Sequence, residues 1–269
     1  MPGQPESQRL TGIAASGCWE CGGAEPPPLV YVLGRLGYDF GSEALRDWFL
    51  QMGLADPGDP AQVLAHLERH PAHGSALTWT LDQDETPIYV IQPGGAFAAE
   101  TYDRLRQLLR SQLLHEIEGV VLPGRMDGRK TLANGRAVPL VWPHVRGLQG
   151  WGTRGAEATE VVSLLERVSV EARNPGRLPR DRALNFVATQ GALLEGVYMP
   201  AMRAGLRLHA IEVERGPLCR PESDCWDVKM IFFDPMHRLE RAREVFRLTV
   251  DVSDVLPVSL GKVHRWLSD

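Results

Sequence analysis

Apolar and polar positions along this chain switch between a period near 3.6 residues and a period of two, and the switches predict its elements. LVYVLGRLGYDF (29–40), rich in Val, Leu and Tyr, predicts a strand. Ser42 then stands in a cap position, and EALRDWFLQM (43–52) puts Leu45, Trp48, Phe49 and Met52 on one helical face. Asp56 to Pro60 predicts a turn. Asp59 caps a second helix with Pro60 at its first position, and that helix ends before Pro71. ALTWTL and PIYVIQP predict two strands joined by DQDET. From Phe97 to about His115 the pattern is helical, with Tyr102, Leu105, Leu108, Leu109 and Leu113 turned inward.

Residues 118–151 return to a β pattern, in which the Gly and Asn of DGRKTLANG separate VVLPGR from RAVPLVW. Two helices are expected over about 157–173 and 181–203, with NPGRLP between them. LHAIEVERG, WDVKMIFFD and EVFRLTVDVSD read as half-buried strands, Val228, Met230 and Phe232 alternating with Lys229 and Ile231. Residues 1–16 hold Gly, Pro, Gln and Ser without periodicity and predict a flexible tail. The rest, 17–269, is expected to be a single α+β domain with a mixed or mainly antiparallel sheet and about six helices.

Composition narrows the function classes. With 43% hydrophobic and 23% charged residues, the chain is composed like an ordinary globular protein, not a disordered one. A net charge of −5 forces no basic face, so a nucleic-acid partner is not expected. No stretch approaches 18 consecutive apolar residues and MPGQPESQRL has no apolar signal core, so the expectation is a cytoplasmic protein with no membrane partner.

Four cysteines carry the clearest chemistry. Cys18-Trp-Glu-Cys21-Gly-Gly has the two-residue gap and following glycines of a zinc knuckle, and Cys219 and Cys225 form a second close pair. In a reducing cytosol the four together read as a structural zinc site, a four-cysteine tie with no open position for substrate. A redox pair or free thiols are the competing readings. The histidines say less. His66 and His70 are spaced i, i+4 with His73 just beyond, which favours a solvated helix face over a metal site. His115-Glu116 begins like HExxH and lacks its second histidine. PVSLG (257–261) lacks the first glycine of a nucleophile elbow. Asp224, Asp227, Asp234, Asp251 and Asp254 cluster late in the chain and read as turn formers and ion-pair partners.

Long segments are similar to one family. CWECGG (18–23), VYVLGRLGYDFGSEALRDWF (30–49), SALTWTLDQDETPIYVIQPGGAFAAETYDRL (75–105), IEVERGPLCRPESDCWDVKMIFFDP (211–235) and EVFRLTVDVSDVLPVSLGKVHRW (244–266) resemble the C-terminal domain of the cyanobactin maturation proteases, the patellamide-type A and G proteins. In that family the domain follows a subtilisin-like protease domain that acts on a ribosomally made precursor peptide. No Asp/His/Ser triad is recognised in these 269 residues, so the resemblance carries no catalytic role to any residue, and the expectation is a stand-alone chain without the protease domain.

The resemblance implies a non-catalytic accessory role, binding precursor peptide or a partner maturation enzyme. A homodimer is a further candidate partner. A zinc-assisted hydrolase or transferase, or a purely structural oligomerisation module, are the alternatives. GYDFG and PVSLG are the first places to look for strand addition, and Tyr38, Asp39, Arg125, Asp227 and Asp254 are the candidate contact residues.

Overall fold

A computed structural model describes residues 26–152, 174–190, 194–217, 219–237 and 242–268. Strand β1 (Leu29–Asp39) is followed by helices α1 (Glu43–Gln51) and α2 (Pro60–Arg69), then by strands β2 (Thr78–Gln83) and β3 (Thr86–Ile91). The caps are as the sequence predicts. The Ser42 side chain accepts from the Leu45 amide at 3.2 Å, and Asp59 accepts from the Ala61 amide at 2.9 Å with Pro60 opening α2. Asp84 and Glu85 turn the β2–β3 hairpin with φ of 48° and 58°, the left-handed pair that matches strand twist. Helix α3 (Ala98–Leu113) leads to β4 (Gly119–Thr131), β5 (Ala137–Pro143) and the short β6 (Gln149–Trp151).

These strands close on themselves. β1 pairs with β2, β2 with β3, β3 with β5, β5 with β4, and β4 again with β1; only β3–β5 is parallel. Inside the ring lie Val30, Val32, Trp79, Leu81, Tyr89, Ile91, Val120, Leu122 and Val141, and α3 adds Leu105, Leu108 and Leu109 to the same core. The expected break in DGRKTLANG is only partly a turn. β4 runs on through Asp127–Thr131 with a register shift between Met126 and Arg129, where Gly128 takes φ 81°. A bulge absorbs the glycine, and the reversal falls later, at Leu132–Arg136.

The second half forms a separate antiparallel sheet in the order β10-β9-β8-β7, from β7 (Arg207–Arg215), β8 (Cys225–Phe233), β9 (Arg243–Asp251) and β10 (Val258–Ser268). Helix α4 (Pro179–Thr189) lies between this sheet and the outer surface of the ring. Its Ala183, Phe186 and Val187 pack with Tyr31 and Val121 on one side and Val228, Leu248 and Val250 on the other. The helix expected over 181–203 is broken: α4 ends at Thr189, and a π turn (Leu194–Tyr198) leads into the short α5 (Met199–Arg203). The helix expected over 157–173 falls outside the described residues. The fold is α+β with a mixed sheet and five α-helices among the described residues.

A buried polar joint ties the halves. Asn174 Nδ2 donates to Asn185 Oδ1 at 2.9 Å, and Asn185 Nδ2 donates to the Tyr31 carbonyl at 2.8 Å. Arg182 reaches the Leu29 carbonyl at 3.4 Å and the Val252 carbonyl at 2.6 Å.

Candidate functional site

A groove follows β1 where that strand changes partners. Over Leu29–Gly34 one side of β1 pairs with β4; beyond Gly34, only β2 remains, on the other side, over Arg35–Asp39. The vacated side is met first by a side chain. Gln112 of α3 accepts from the Leu36 amide at 2.8 Å and donates to the Leu36 carbonyl at 2.9 Å. This residue imitates a strand at one position and satisfies two buried backbone groups. Strand geometry alternates, so the N–H and C=O of Tyr38 face the same side as those of Leu36. Beyond Gln112 the space widens into a groove of about 720 Å³. Tyr38, Asp39 and Asp82 line it from the sheet, Glu43 and Arg46 from α1, and Leu109 and Leu113 from α3.

Several groups in the groove are held firmly. The Tyr38 hydroxyl donates to the Pro57 carbonyl at 3.2 Å, and Asp39 Oδ1 accepts from the amides of Gly41 (2.6 Å) and Ala133 (3.0 Å). Burial, with the charges of Asp59 and Asp56, pushes the Tyr38 phenol up to about 12. Asp82 is pushed above the usual carboxylate range by burial, against a hydrogen bond from Thr80, and its Oδ1 is buried without a partner. Gly37 makes this geometry possible: a Cβ there would stand 2.5 Å from Asp82 Oδ2 and 2.7 Å from Thr80 Oγ1.

The structure divides the five contact residues expected from sequence into three places. Tyr38 and Asp39 lie together in the groove. Arg125 and Asp254 approach each other at 3.8 Å across the ring–sheet boundary. Asp227 is nearly fully buried in the second sheet, where Thr249 Oγ1 donates to Oδ1 at 2.5 Å and Arg247 Nη1 lies 3.5 Å from Oδ2. It is placed to hold strands together. The other late acids are turn formers: Asp224 accepts from Trp226 Nε1, Asp234 from the Met236 amide, and Asp251 from the amide and hydroxyl of Ser253. Burial pushes Asp251 up, and those bonds, with ones involving Ser223 and Asp224, outweigh it, so its carboxyl lies below its usual range. Sequence reasoning missed Asp82 and Gln112, since one reads as the first residue of the DQDET connector, which β2 in fact extends into, and the other as a helix surface.

The four-cysteine tie needs correction as a feature of this structure. Cys219 and Cys225 are joined by a disulfide, which leaves neither a thiolate for a metal. The Gly216 amide donates to the Cys225 carbonyl and the Ser223 amide to the Arg220 carbonyl, and this tight loop brings the two Cα atoms to 5.7 Å. Cys18 and Cys21 lie outside the described residues. Among those residues no group of three or more His, Cys, Asp and Glu side chains is arranged to hold a metal, and no helix is long and apolar enough to cross a membrane.

The histidines are not a solvated face. His66 is fully buried, its Nε2 lies 3.0 Å from His73 Nδ1, and the His66, His70 and His73 rings stand 5.1–5.2 Å apart beside Phe49 and Trp48 of α1. One nitrogen of the His66–His73 contact must accept, so that contact excludes a fully protonated pair. Burial first, then the neighbouring histidines, lower both pKa values, with Arg69 adding to the effect on His66. A histidine with a lowered folded pKa stabilises fully above its unfolded value near 6.5, and that stability is lost as pH falls below it. The melting temperature is therefore expected to fall between pH 7 and 5.5. His66→Leu, which fills the site without titrating, should flatten that fall in parallel melting curves. Equal slopes for the two proteins would refute the cluster's role.

The ring, the antiparallel sheet and the edge groove define an α+β domain of two packed sheets with a groove along a strand edge. Comparison with known proteins supplies the rest. The family model described as PatG Domain matches residues 29–128, and PatG C-terminal matches residues 152–266. A solved structure described as the PatG domain of unknown function is 37% identical, covers 90% of this chain and 99% of its own, and superimposes with a TM-score of 0.82. No curated protein matches. The chain belongs to the PatG domain-of-unknown-function family, as its resemblance to the C-terminal domain of the cyanobactin maturation proteases implies.

Proposed function

We propose that this chain is a non-catalytic accessory module in the maturation of ribosomally made, cyanobactin-type peptides, and that it binds precursor peptide or a maturation enzyme at the groove beside Tyr38. One observation carries the reading: the side of β1 that β4 leaves beyond Gly34 is met by a strand mimic at Leu36 and then by open groove. An extended segment laid there would take up backbone hydrogen bonds at Tyr38 and side-chain contacts along α1 and α3.

The test uses pull-down and binding titration with the precursor and its neighbouring maturation enzymes. At least one is expected to bind. Tyr38→Pro should weaken that binding at least tenfold, because proline removes the amide facing the groove and none that β2 uses. Binding that is absent at tens of micromolar, or indifferent to Tyr38→Pro in a chain that still melts cooperatively, would overturn the reading.

We also propose that the four cysteines hold a structural zinc when Cys219 and Cys225 are reduced. The corner geometry supports it. Arg182 binds both the Leu29 and Val252 carbonyls, and the Val252 amide donates to Asp224, next to Cys225. The start of β1 thus lies beside the cysteine loop, and Cys21 precedes Leu29 by only eight positions, a reach of at most about 28 Å.

A further inference from the structure

We propose that the groove beside Tyr38 is selective for a cationic extended peptide, with Asp82 receiving a lysine or arginine side chain. This rests on the binding role proposed for that groove and names the chemistry of its occupant. Three features of the molecule converge on it.

The first is shape. The opening runs along a strand side that lacks a strand partner among the described residues, and its volume of about 720 Å³ suits several side chains. A segment extended along Tyr38 directs alternate side chains to opposite faces of the sheet. One set would meet the apolar floor of Leu109 and Leu113, and the other would meet the face that carries Gly37, Thr80 and Asp82.

The second is charge. Asp39, Glu43 and Asp82 line the groove, and Asp56 and Asp59 stand close enough to act on Tyr38, against the cations Arg35 and Arg46. The excess is negative. At the mouth of a cleft with low-dielectric walls, such an excess favours cations and repels anions.

The third is an unmet acceptor. Asp82 Oδ1 is buried without a hydrogen-bond partner while its side chain is held against Thr80. Arg35 stands directly opposite on β1 yet makes no ion pair with it among the described residues. A buried, unpaired acceptor costs stability, and an N–H donor in the groove that Asp82 lines would recover it once the carboxyl turns Oδ1 toward the opening. The absent side chain of Gly37 leaves the room in which the Asp82 carboxyl and the Thr80 hydroxyl sit at the groove wall.

The experiment is fluorescence anisotropy of the full chain with three labelled, capped heptapeptides, alternating valine and threonine with lysine, with glutamate, or with glutamine. The lysine peptide is expected to bind at least tenfold tighter than either of the others. Raising salt from about 50 to about 500 mM should weaken it, as exposed charges are screened. Asp82→Asn and Glu43→Gln should each reduce its affinity several-fold with melting unchanged, and Gly37→Ala should block it by displacing the Asp82 carboxyl. Equal binding of all three peptides, tighter binding of the glutamate peptide, or indifference to Asp82→Asn would each overturn the inference. Failure of the lysine peptide to bind a chain that still captures precursor or enzyme in a Tyr38-dependent way would overturn the charge selectivity alone and leave the accessory role standing.

Discussion

Gly176→Ala should lower stability by about 3 kcal/mol or more, read as a shift of the urea midpoint. Gly176 has φ 65°, and a Cβ there would stand 2.1 Å from the Tyr31 carbonyl oxygen and 2.6 Å from its carbon. Both offenders are backbone atoms of β1, so no rotamer change relieves the clash. The glycine is also tied in place. Its amide donates to Asn174 Oδ1 at 2.9 Å, and its carbonyl accepts from the Tyr31 amide at 3.0 Å. Moving it strains the buried asparagine joint that attaches α4 to the ring. The strained conformation alone costs about 1–2 kcal/mol for an L-residue, and the overlap with a fixed backbone adds to it. Gly135→Ala separates the two. Gly135 has φ 80° and nothing within 4 Å of the added carbon, so it should lose only the conformational part. Equal losses at the two positions would mean that residues 174–176 do not pack on β1 as described.

Cys219→Ser should cost several kcal/mol and lower the melting temperature by roughly 10 °C in a chain of this size. The loss is expected whether the cysteine serves the disulfide of this structure or the proposed zinc, because both cross-link distant or looped segments and add to folding free energy. Metal analysis under reductant tells them apart. The proposal expects one zinc per chain with reductant present, lost on Cys219→Ser and on Cys18→Ser alike. A metal-free reduced chain whose melting ignores Cys18→Ser would remove the zinc and leave the disulfide as the tie.

Much of the fold is legible in the sequence because the signals are local. Ser42 and Asp59 sit at helix starts, where their side chains satisfy amides two or three residues on, and this needs no tertiary partner. The alternation through Val228, Met230 and Phe232 marks the face of β8 that packs on α4 and α5. Where packing overrides pattern, the reading fails. The helical face expected of α1 buries only Phe49 and leaves Trp48 and Met52 more than a third exposed. β10 went unread, since Gly261 and its register shift interrupt the alternation and the strand lies at an exposed sheet edge. The histidines at 66, 70 and 73 looked solvated, since helical spacing does not reveal that α1 lays aromatic rings over them.

Half of the proposed site was visible in the same way. GYDFG marks a strand end with turn residues, and Tyr38 and Asp39 do line the groove. Their partners come from far along the chain: Asp82 from the neighbouring strand, Gln112 and Leu113 from the helix that plugs the ring. By itself the sequence determined the starts of the first two helices with their caps, the strand character of β1 and β8, and the family, all of which follow from local spacing or from similarity. Only the tertiary structure decided that five strands close into a ring, that β1 is left without β4 after Gly34, and that the half-buried Asp82 carboxylate lines the opening. Those depend on which strands meet and in what register, and register is set by contacts between residues tens of positions apart.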